Sequence, residues 1–151
     1  MPLDTDQGER QANMAVLAWA KPAALAARWA ELGTAPAHER VRGPETGLVM
    51  VRGRAGGGGA PFNLGEATVT RATVRLATGE VGHAYALGRD SEKVVTAALV
   101  DALWQQPANR DAIRHTVIEP LAAVEADADR KRRGESAATK VNFFTLVRGE
   151  D

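Results

Sequence analysis

The chain has 151 residues, of which 44% are hydrophobic and 25% charged, and its 19 basic side chains balance 19 acidic ones. This length and composition indicate one globular domain and leave no room for a second of ordinary size. The neutral balance argues against a protein that works mainly by neutralising nucleic-acid phosphates, and the lack of cysteine excludes disulfides, thiolate metal sites and cysteine nucleophiles.

The sequence carries no recognisable targeting signal or membrane anchor. The first ten residues are polar and acidic, without the apolar core of a secretory signal. No segment approaches the roughly 18 apolar residues that a membrane-spanning helix needs. We therefore expect a cytoplasmic location and no membrane partner.

Two short helices are predicted at the start of the chain. Residues 9–20 place apolar side chains at helical spacing, and Lys21-Pro22 ends that run because proline cannot continue a helical hydrogen-bond ladder. Pro22 suits the first turn of a second helix, and Gly33 is the residue type that commonly ends one. The first 33 residues therefore predict a helix pair.

A glycine-proline pair separates the first two predicted strands. Residues 38–42 predict a short strand, Gly43-Pro44 punctuates the chain, and residues 48–52 predict another strand. Residues 48–51, LVMV, are apolar on both faces, which is typical of a central strand. We expect helices to cover one face, and either another layer or a partner subunit to cover the other.

Residues 67–88 predict a β-hairpin around the compact turn signal Thr78-Gly79. Residues 70, 72, 74 and 76 share one face of its first strand. Arg71 and Arg75 project together from the opposite face.

Mostly helical structure is predicted after the hairpin. Asp90-Ser91 supplies a cap for a helix over residues 91–105, which Pro107 closes. Its buried stripe is expected to contain Val95, Leu99, Ala102 and Leu103. Residues 109–133 predict further helix, with Pro120 as a start or kink and a basic last turn at residues 130–133.

The end of the chain predicts a polar linker and a final strand. Residues 134–139 are polar, and residues 141–147, VNFFTLV, are rich in β-forming side chains. The whole order predicts a single α+β domain over residues 1–151. Its antiparallel β-sheet has about four strands, with an N-terminal helix pair, two or three further helices and a C-terminal strand that returns to the sheet.

The most informative stretch is residues 45–76, where four arginines surround a glycine loop. Glycine lets anions approach backbone amides, and guanidinium groups match phosphate or phosphonate oxygens. An oxyanion site is therefore one interpretation, and an ordinary strand connection with solvated arginines is the commoner alternative. The arginines and loop glycines are Arg52, Arg54, Arg71, Arg75, Gly56, Gly57, Gly58 and Gly59.

Several familiar chemistries have no support in the sequence. Neither GxxxxGK[ST] nor GxGxxG in a strand-to-helix context occurs, which argues against a self-sufficient nucleotide hydrolase and against dinucleotide binding. The three histidines are far apart, so no metal site is predicted. Glu45 and Glu66 flank the glycine segment as candidate bases or arginine partners, and ion pairing is the favoured role.

The sequence is similar to the G subunit of the bacterial carbon-phosphorus lyase core complex, which acts in phosphonate catabolism. The resemblance covers nearly the whole chain, and its most specific motifs are ETGLVMVRGR and NFFTLVRG. The segments that carry it are residues 10–29, 42–76, 88–90, 101–105 and 137–149.

The resemblance implies a subunit that works with the H, I and J subunits, and with the L protein as a further candidate partner. Their implied reaction transfers the triphosphoribosyl group of ATP to an alkylphosphonate, displaces adenine and forms α-D-ribose 1-methylphosphonate 5-triphosphate. The resemblance thus implies a transferase subunit that is inactive alone and binds no cofactor, with ATP and magnesium serving the whole complex. Carbon-phosphorus cleavage belongs to the iron-sulfur J subunit, which agrees with the absence of cysteine here.

No catalytic residue is carried over from the family, so the site predictions rest on the residues themselves. An anion contact or a partner contact is expected at Arg52, Arg54, Gly56, Gly57, Gly58, Gly59, Arg71 and Arg89, and a further interface at Phe143, Phe144 and Arg148. Two alternatives stay open: a non-catalytic scaffold that stabilises the nucleosidase-like partner, and an isolated anion-binding module.

Overall fold

The sheet is antiparallel, in the order β1-β2-β3, with helices packed on one face. The computed structural model describes residues 5–138. The predicted last strand, with Phe143, Phe144 and Arg148, lies outside them. The elements are α1 Thr5–Trp19, α2 Pro22–Leu32, β1 His38–Arg54, β2 Pro61–Leu76, β3 Val81–Leu87, α3 Ser91–Trp104, α4 Pro107–Ile113 and α5 Glu119–Ala138.

This architecture confirms the α+β prediction, with three strands among residues 5–138 rather than about four. The N-terminal helix pair is confirmed too. Pro22 lies in the first turn of α2, and Gly33 ends it with a φ of 65°, in the left-handed region that favours glycine.

The core lies between α3 and the helix-facing side of β2 and β3. Side chains at 70, 72, 74 and 76 are buried, whereas Arg71 and Arg75 are exposed on the opposite face, as predicted. Asp90 caps α3 by accepting a hydrogen bond from the Lys93 backbone N–H. The predicted stripe of α3 is buried, and burial extends around most of the helix.

Gly82 is the point at which β3 comes closest to α3. A Cβ added there would overlap the carbonyl oxygen of Ala98 and lie 2.5 Å from the backbone nitrogen of Ala102. We expect Gly82→Ala to lower the free energy of unfolding by about 2 kcal/mol, because strand and helix must separate. Urea unfolding measures this. Gly47→Ala is the control, since nothing lies within 4 Å of a Cβ there, and equal stability of the two variants would contradict the prediction.

The two strands predicted on either side of Gly43-Pro44 form one strand, β1, so the predicted break is wrong. The register of β1 against β2 shifts between Arg40 and Arg42 and again between Arg42 and Glu45, which places the pair in a bulge. Proline is tolerated there because β1 is an edge strand and a bulge needs no ladder hydrogen bond. Gly43 has a φ of 68°, which glycine adopts without strain.

After Pro107 the prediction of further helix, with Pro120 as a start or kink, is confirmed, whereas the linker predicted to follow it is wrong. A π-helical turn, Arg114–Ile118, joins α4 to α5, and Pro120 lies in the first turn of α5, where a missing N–H costs least. The predicted linker at residues 134–138 is instead helix, because alanine and glutamate near the end of α5 favour helix and the single Gly134 does not break it. The basic residues 130–133 therefore lie inside α5.

Candidate functional site

The β1-β2 hairpin extends well beyond the third strand. Pairing of β2 with β3 ends at Val69 opposite Leu87, whereas pairing of β1 with β2 continues to Arg54 opposite Pro61. We call residues 48–68 the distal ribbon. It consists of two strands and the glycine loop that joins them.

The distal ribbon exposes large apolar side chains on both faces. Leu48 and Met50 have the same alternation as the helix-facing Thr46, whereas Val51 belongs to the opposite face. The exposed fraction reaches 61% for both Leu48 and Leu64, and the other exposed apolar residues are Met50, Val51 and Phe62. Such a patch on a single chain marks a surface that binds something else.

The expectation that helices cover residues 48–51 is therefore wrong within residues 5–138. The physical reason is that an apolar sequence pattern indicates side chains that become buried. It does not indicate whether the covering atoms belong to the same chain or to a partner. For the other face, the sequence predicts a cover of either another layer or a partner subunit. No layer among residues 5–138 covers it, and a covering partner subunit stays a prediction.

The absence of a side chain at Gly53 leaves room for the side chain of Leu64 on the opposite strand of the ribbon. A Cβ at Gly53 would lie 3.0 Å from Leu64 Cγ, so the leucine side chain occupies the space that glycine leaves. The register shifts here, since Val51 pairs with Gly65 and Arg52 with Asn63, which leaves Leu64 without a partner across the ladder. The bulge and the glycine together shape the apolar surface near the tip.

The glycine loop is a tight turn that uses its own amides. Ala55–Gly57 form a single 3₁₀ turn, in which Gly56 has a φ of 59°. The backbone N–H groups of Gly58 and Gly59 both donate to the carbonyl oxygen of Ala55. These two amides are therefore occupied within the loop, and they are not free to hold an anion in this conformation.

The predicted arginines lie at separate positions: at the ribbon tip, near the base of the hairpin and after β3. Arg52 and Arg54 lie together at the tip, beside the loop, and within the described part of the chain neither forms an ion pair. Arg71 lies opposite Glu45, nine residues from Arg54 along β1, a distance of roughly 25–30 Å. Arg89 follows the end of β3, where Gly88 N–H donates to Thr68 O. The structure thus joins the tip arginines to the glycine loop but not to Arg71.

The sheet face opposite the helices carries an ion-pair cluster near the base of the hairpin. Arg71 Nε and Arg42 Nε each donate to Glu45 Oε1 at 2.6 Å, which confirms ion pairing as a role of Glu45. These two hydrogen bonds, from Arg71 first and Arg42 second, lower the pKa of Glu45 below its usual value. Beside them, Gly47 leaves a depression of about 200 Å³ lined by Val49, Val69 and Tyr85 among others.

The Glu45 carboxyl should therefore titrate below an ordinary glutamate. Because its folded-state pKa is lowered, the cluster is present above the usual pKa and is lost as the pH falls through the folded value. We expect Arg71→Ala to raise the pKa of Glu45. Arg75→Ala is the control, because Arg75 pairs with Glu39 instead. Carbon-detected NMR titration measures both, and an equal effect of the two variants would contradict this assignment.

A buried ion pair that the sequence did not reveal lies on the helical side. Asp101, which is 3% exposed, accepts hydrogen bonds from Arg10 Nε and Nη2 and from His83 N–H, all at 2.8 Å. The hydrogen bond to Asp101 raises the pKa of Arg10 against the opposing effect of burial. The available signal was a lone aspartate within the apolar run LVDALW, because such a residue needs a partner.

Other chemistries find no support in the described residues. No group of three or more histidine, aspartate and glutamate side chains there could hold a metal ion. None of the helices between residues 5 and 138 is long and apolar enough to cross a membrane. What the arrangement offers is an exposed apolar ribbon with a cationic tip.

Comparison with known proteins confirms the family resemblance that the sequence shows over nearly the whole chain. Residues 8–149 match the family model described as "Phosphonate metabolism protein PhnG". The chain is 51% identical over 148 residues to the alpha-D-ribose 1-methylphosphonate 5-triphosphate synthase subunit PhnG of Rhizobium meliloti (strain 1021). That alignment covers 98% of this chain and 94% of that protein. The similarity therefore includes the distal ribbon.

Proposed function

Because the chain belongs to the phosphonate metabolism protein PhnG family, we propose that it is a subunit of a synthase that makes α-D-ribose 1-methylphosphonate 5-triphosphate. In the proposed reaction a phosphonate oxygen forms a bond to C1′ of ATP while the bond from C1′ to adenine breaks. Adenine leaves with a proton, and the triphosphate stays on the ribose. The synthase is a transferase, and this chain alone is inactive.

The observation that carries this proposal is the exposed apolar surface of the distal ribbon. An isolated two-stranded ribbon is marginally stable in water, and covering Leu48, Met50 and Leu64 would remove apolar area from solvent. Large exposed apolar patches mark interaction sites, and a subunit that inserts the ribbon into a partner would cover this one.

The proposed partners are the H, I and J subunits of the carbon-phosphorus lyase core complex, with the L protein as a further candidate. ATP with magnesium is proposed as a substrate of the assembly, and no cofactor is assigned to this chain. The proposed location is the cytoplasm.

The two arginines at the ribbon tip have two candidate roles, which one variant separates. Arg54→Ala should weaken assembly by about tenfold if the guanidinium contacts a partner, because removing one partner of an interfacial charge pair costs at least that much. Size-exclusion chromatography of the co-expressed subunits measures assembly, and adenine release from ATP and methylphosphonate measures transfer. Arg133→Ala, an exposed change in α5, is the control.

Intact assembly with impaired adenine release would contradict docking and assign Arg54 to substrate binding. If Arg54→Ala matches Arg133→Ala in both measurements, the tip arginines serve neither role.

A purely structural scaffold is the second candidate function. The loop geometry favours it. The backbone N–H groups of Gly58 and Gly59 donate to Ala55 O, so the loop offers fewer free N–H groups for binding an anion. Assaying the remaining subunits without this chain tests both candidates together. Full adenine release in its absence would rule out both a catalytic and an essential scaffolding role.

A further inference from the structure

We propose that the open half of the β3 edge, together with the groove between that edge and α1, receives an extended segment of another subunit as an added β-strand. The inference rests on the proposed function, because it requires an assembly. It concerns a surface separate from the distal ribbon.

The outer edge of β3 carries backbone groups that no strand among residues 5–138 pairs with, since β3 is the last strand in the described sheet. His83 N–H donates to the Asp101 carboxylate, and Val81 O accepts from Gln105 Nε2 at 2.7 Å, so the odd-numbered residues direct these groups away from β2. By the same alternation, Tyr85 N–H and C=O face the open edge.

Within residues 5–138, side chains close the first half of this edge and not the second. Arg10, Asp101 and Gln105 form hydrogen bonds with the backbone of Val81 and His83. From Tyr85 to Leu87, no side chain among residues 5–138 forms a hydrogen bond with the outer backbone groups. Unpaired edges attract further strands, and native proteins normally block them. Here the blocking side chains stop halfway along the strand.

An apolar groove of about 210 Å³ runs beside the open half. The short side chains of Ala15 and Ala18 on α1 leave space next to Tyr85, and the other lining residues are Met14, Leu17, His83, Ala84, Ala86 and Ala97. None of them carries a carboxylate, ammonium or guanidinium group. Charge complementarity therefore selects an uncharged segment, and a strand edge beside a helix is a known arrangement for strand addition.

The position of the groove favours a segment of another subunit. The open half of β3 ends at Leu87, opposite Val69, where the distal ribbon begins. Gly88 N–H also donates to Thr68 O of the ribbon. A partner that covers the ribbon therefore lies next to the open edge, and a strand from that partner can reach it.

Photo-crosslinking in the assembled complex identifies the occupant. With p-benzoylphenylalanine in place of Ala15, an exposed residue of α1 that lines the groove, irradiation and mass spectrometry of the digested complex should yield a crosslink to an uncharged segment of another subunit. The same group at Lys131, on an exposed part of α5, should not label that segment. The inference is overturned by a crosslink to residues 139–151 of this chain, by one to a second copy, or by none in an assembled complex.

Two variants test the contact by affinity. Tyr85→Pro removes an outer N–H while leaving the ladder to β2 intact, and it should weaken binding to the partner subunits roughly tenfold. Tyr85→Val keeps that N–H and should change binding by less than about threefold. Ala18→Glu places a charge in the groove and should weaken binding as Tyr85→Pro does, which keeps the test valid if the proline variant misfolds.

Unchanged affinity of both Tyr85→Pro and Ala18→Glu would overturn the strand contact alone, because the ribbon can still dock. Failure of the unaltered chain to assemble would overturn the proposed function and this inference together.

Discussion

Deletion of the distal ribbon is expected to abolish assembly of the synthase and leave the rest of the chain folded. Replacing residues 48–68 with Asn-Gly joins Gly47 to Val69, which are already paired across the hairpin. The deleted part contains no residue of the hydrophobic core cluster. We therefore expect the free energy of unfolding to change by less than about 1 kcal/mol and affinity for the partner subunits to fall at least ~100-fold.

Urea unfolding measures the first quantity and co-purification with quantitative binding the second. A milder pair of variants provides a matched control. Leu48→Ser with Leu64→Ser should weaken assembly, whereas Val124→Ser, a comparably exposed apolar residue on α5, should not. Normal assembly of the ribbon deletion would exclude the ribbon as the docking element.

Arg10→Met is expected to lower the free energy of unfolding by about 3–5 kcal/mol, since it leaves the buried Asp101 carboxylate without its guanidinium partner. This loss is a large share of the roughly 5–15 kcal/mol that stabilises a typical domain. Thermal and urea unfolding of the full chain measure it.

A double variant separates a structural pair from an independent effect of each residue. Arg10→Met with Asp101→Leu should be less destabilised than the sum of the single variants, because the second change removes the stranded charge. Arg28→Ala is the control, since the pair it forms with Glu31 is exposed and should contribute less than about 0.5 kcal/mol. If Arg10→Met behaves like Arg28→Ala, the buried pair does not support the fold.

The elements that the sequence predicted well are those with local signals. Pro22 and Gly33 delimit α2, Thr78-Gly79 turns the chain between β2 and β3, and Asp90 caps α3. Each signal lies within a few residues of the boundary that it sets, so no knowledge of distant contacts was needed.

The features that escaped prediction depend on distant contacts. Arg10 and Asp101 are 91 positions apart, so nothing near either residue identifies its partner. The bulge at Gly43-Pro44 is tolerated because β1 lies at an edge of the sheet, and strand order is not a local property. For the candidate site, composition indicated the cluster of arginines and glycines, but only the register separated Arg71 from the tip.

The separation of the ribbon from the core affects how this protein can evolve. Substitutions at Leu48, Met50 or Leu64 leave the packing around α3 untouched, so the proposed docking, rather than folding, would decide which of them are accepted. The ribbon and the partner surface can thus change together while the helix-covered core stays constant. Exchanging ribbons between related chains would then transfer partner preference as a single unit.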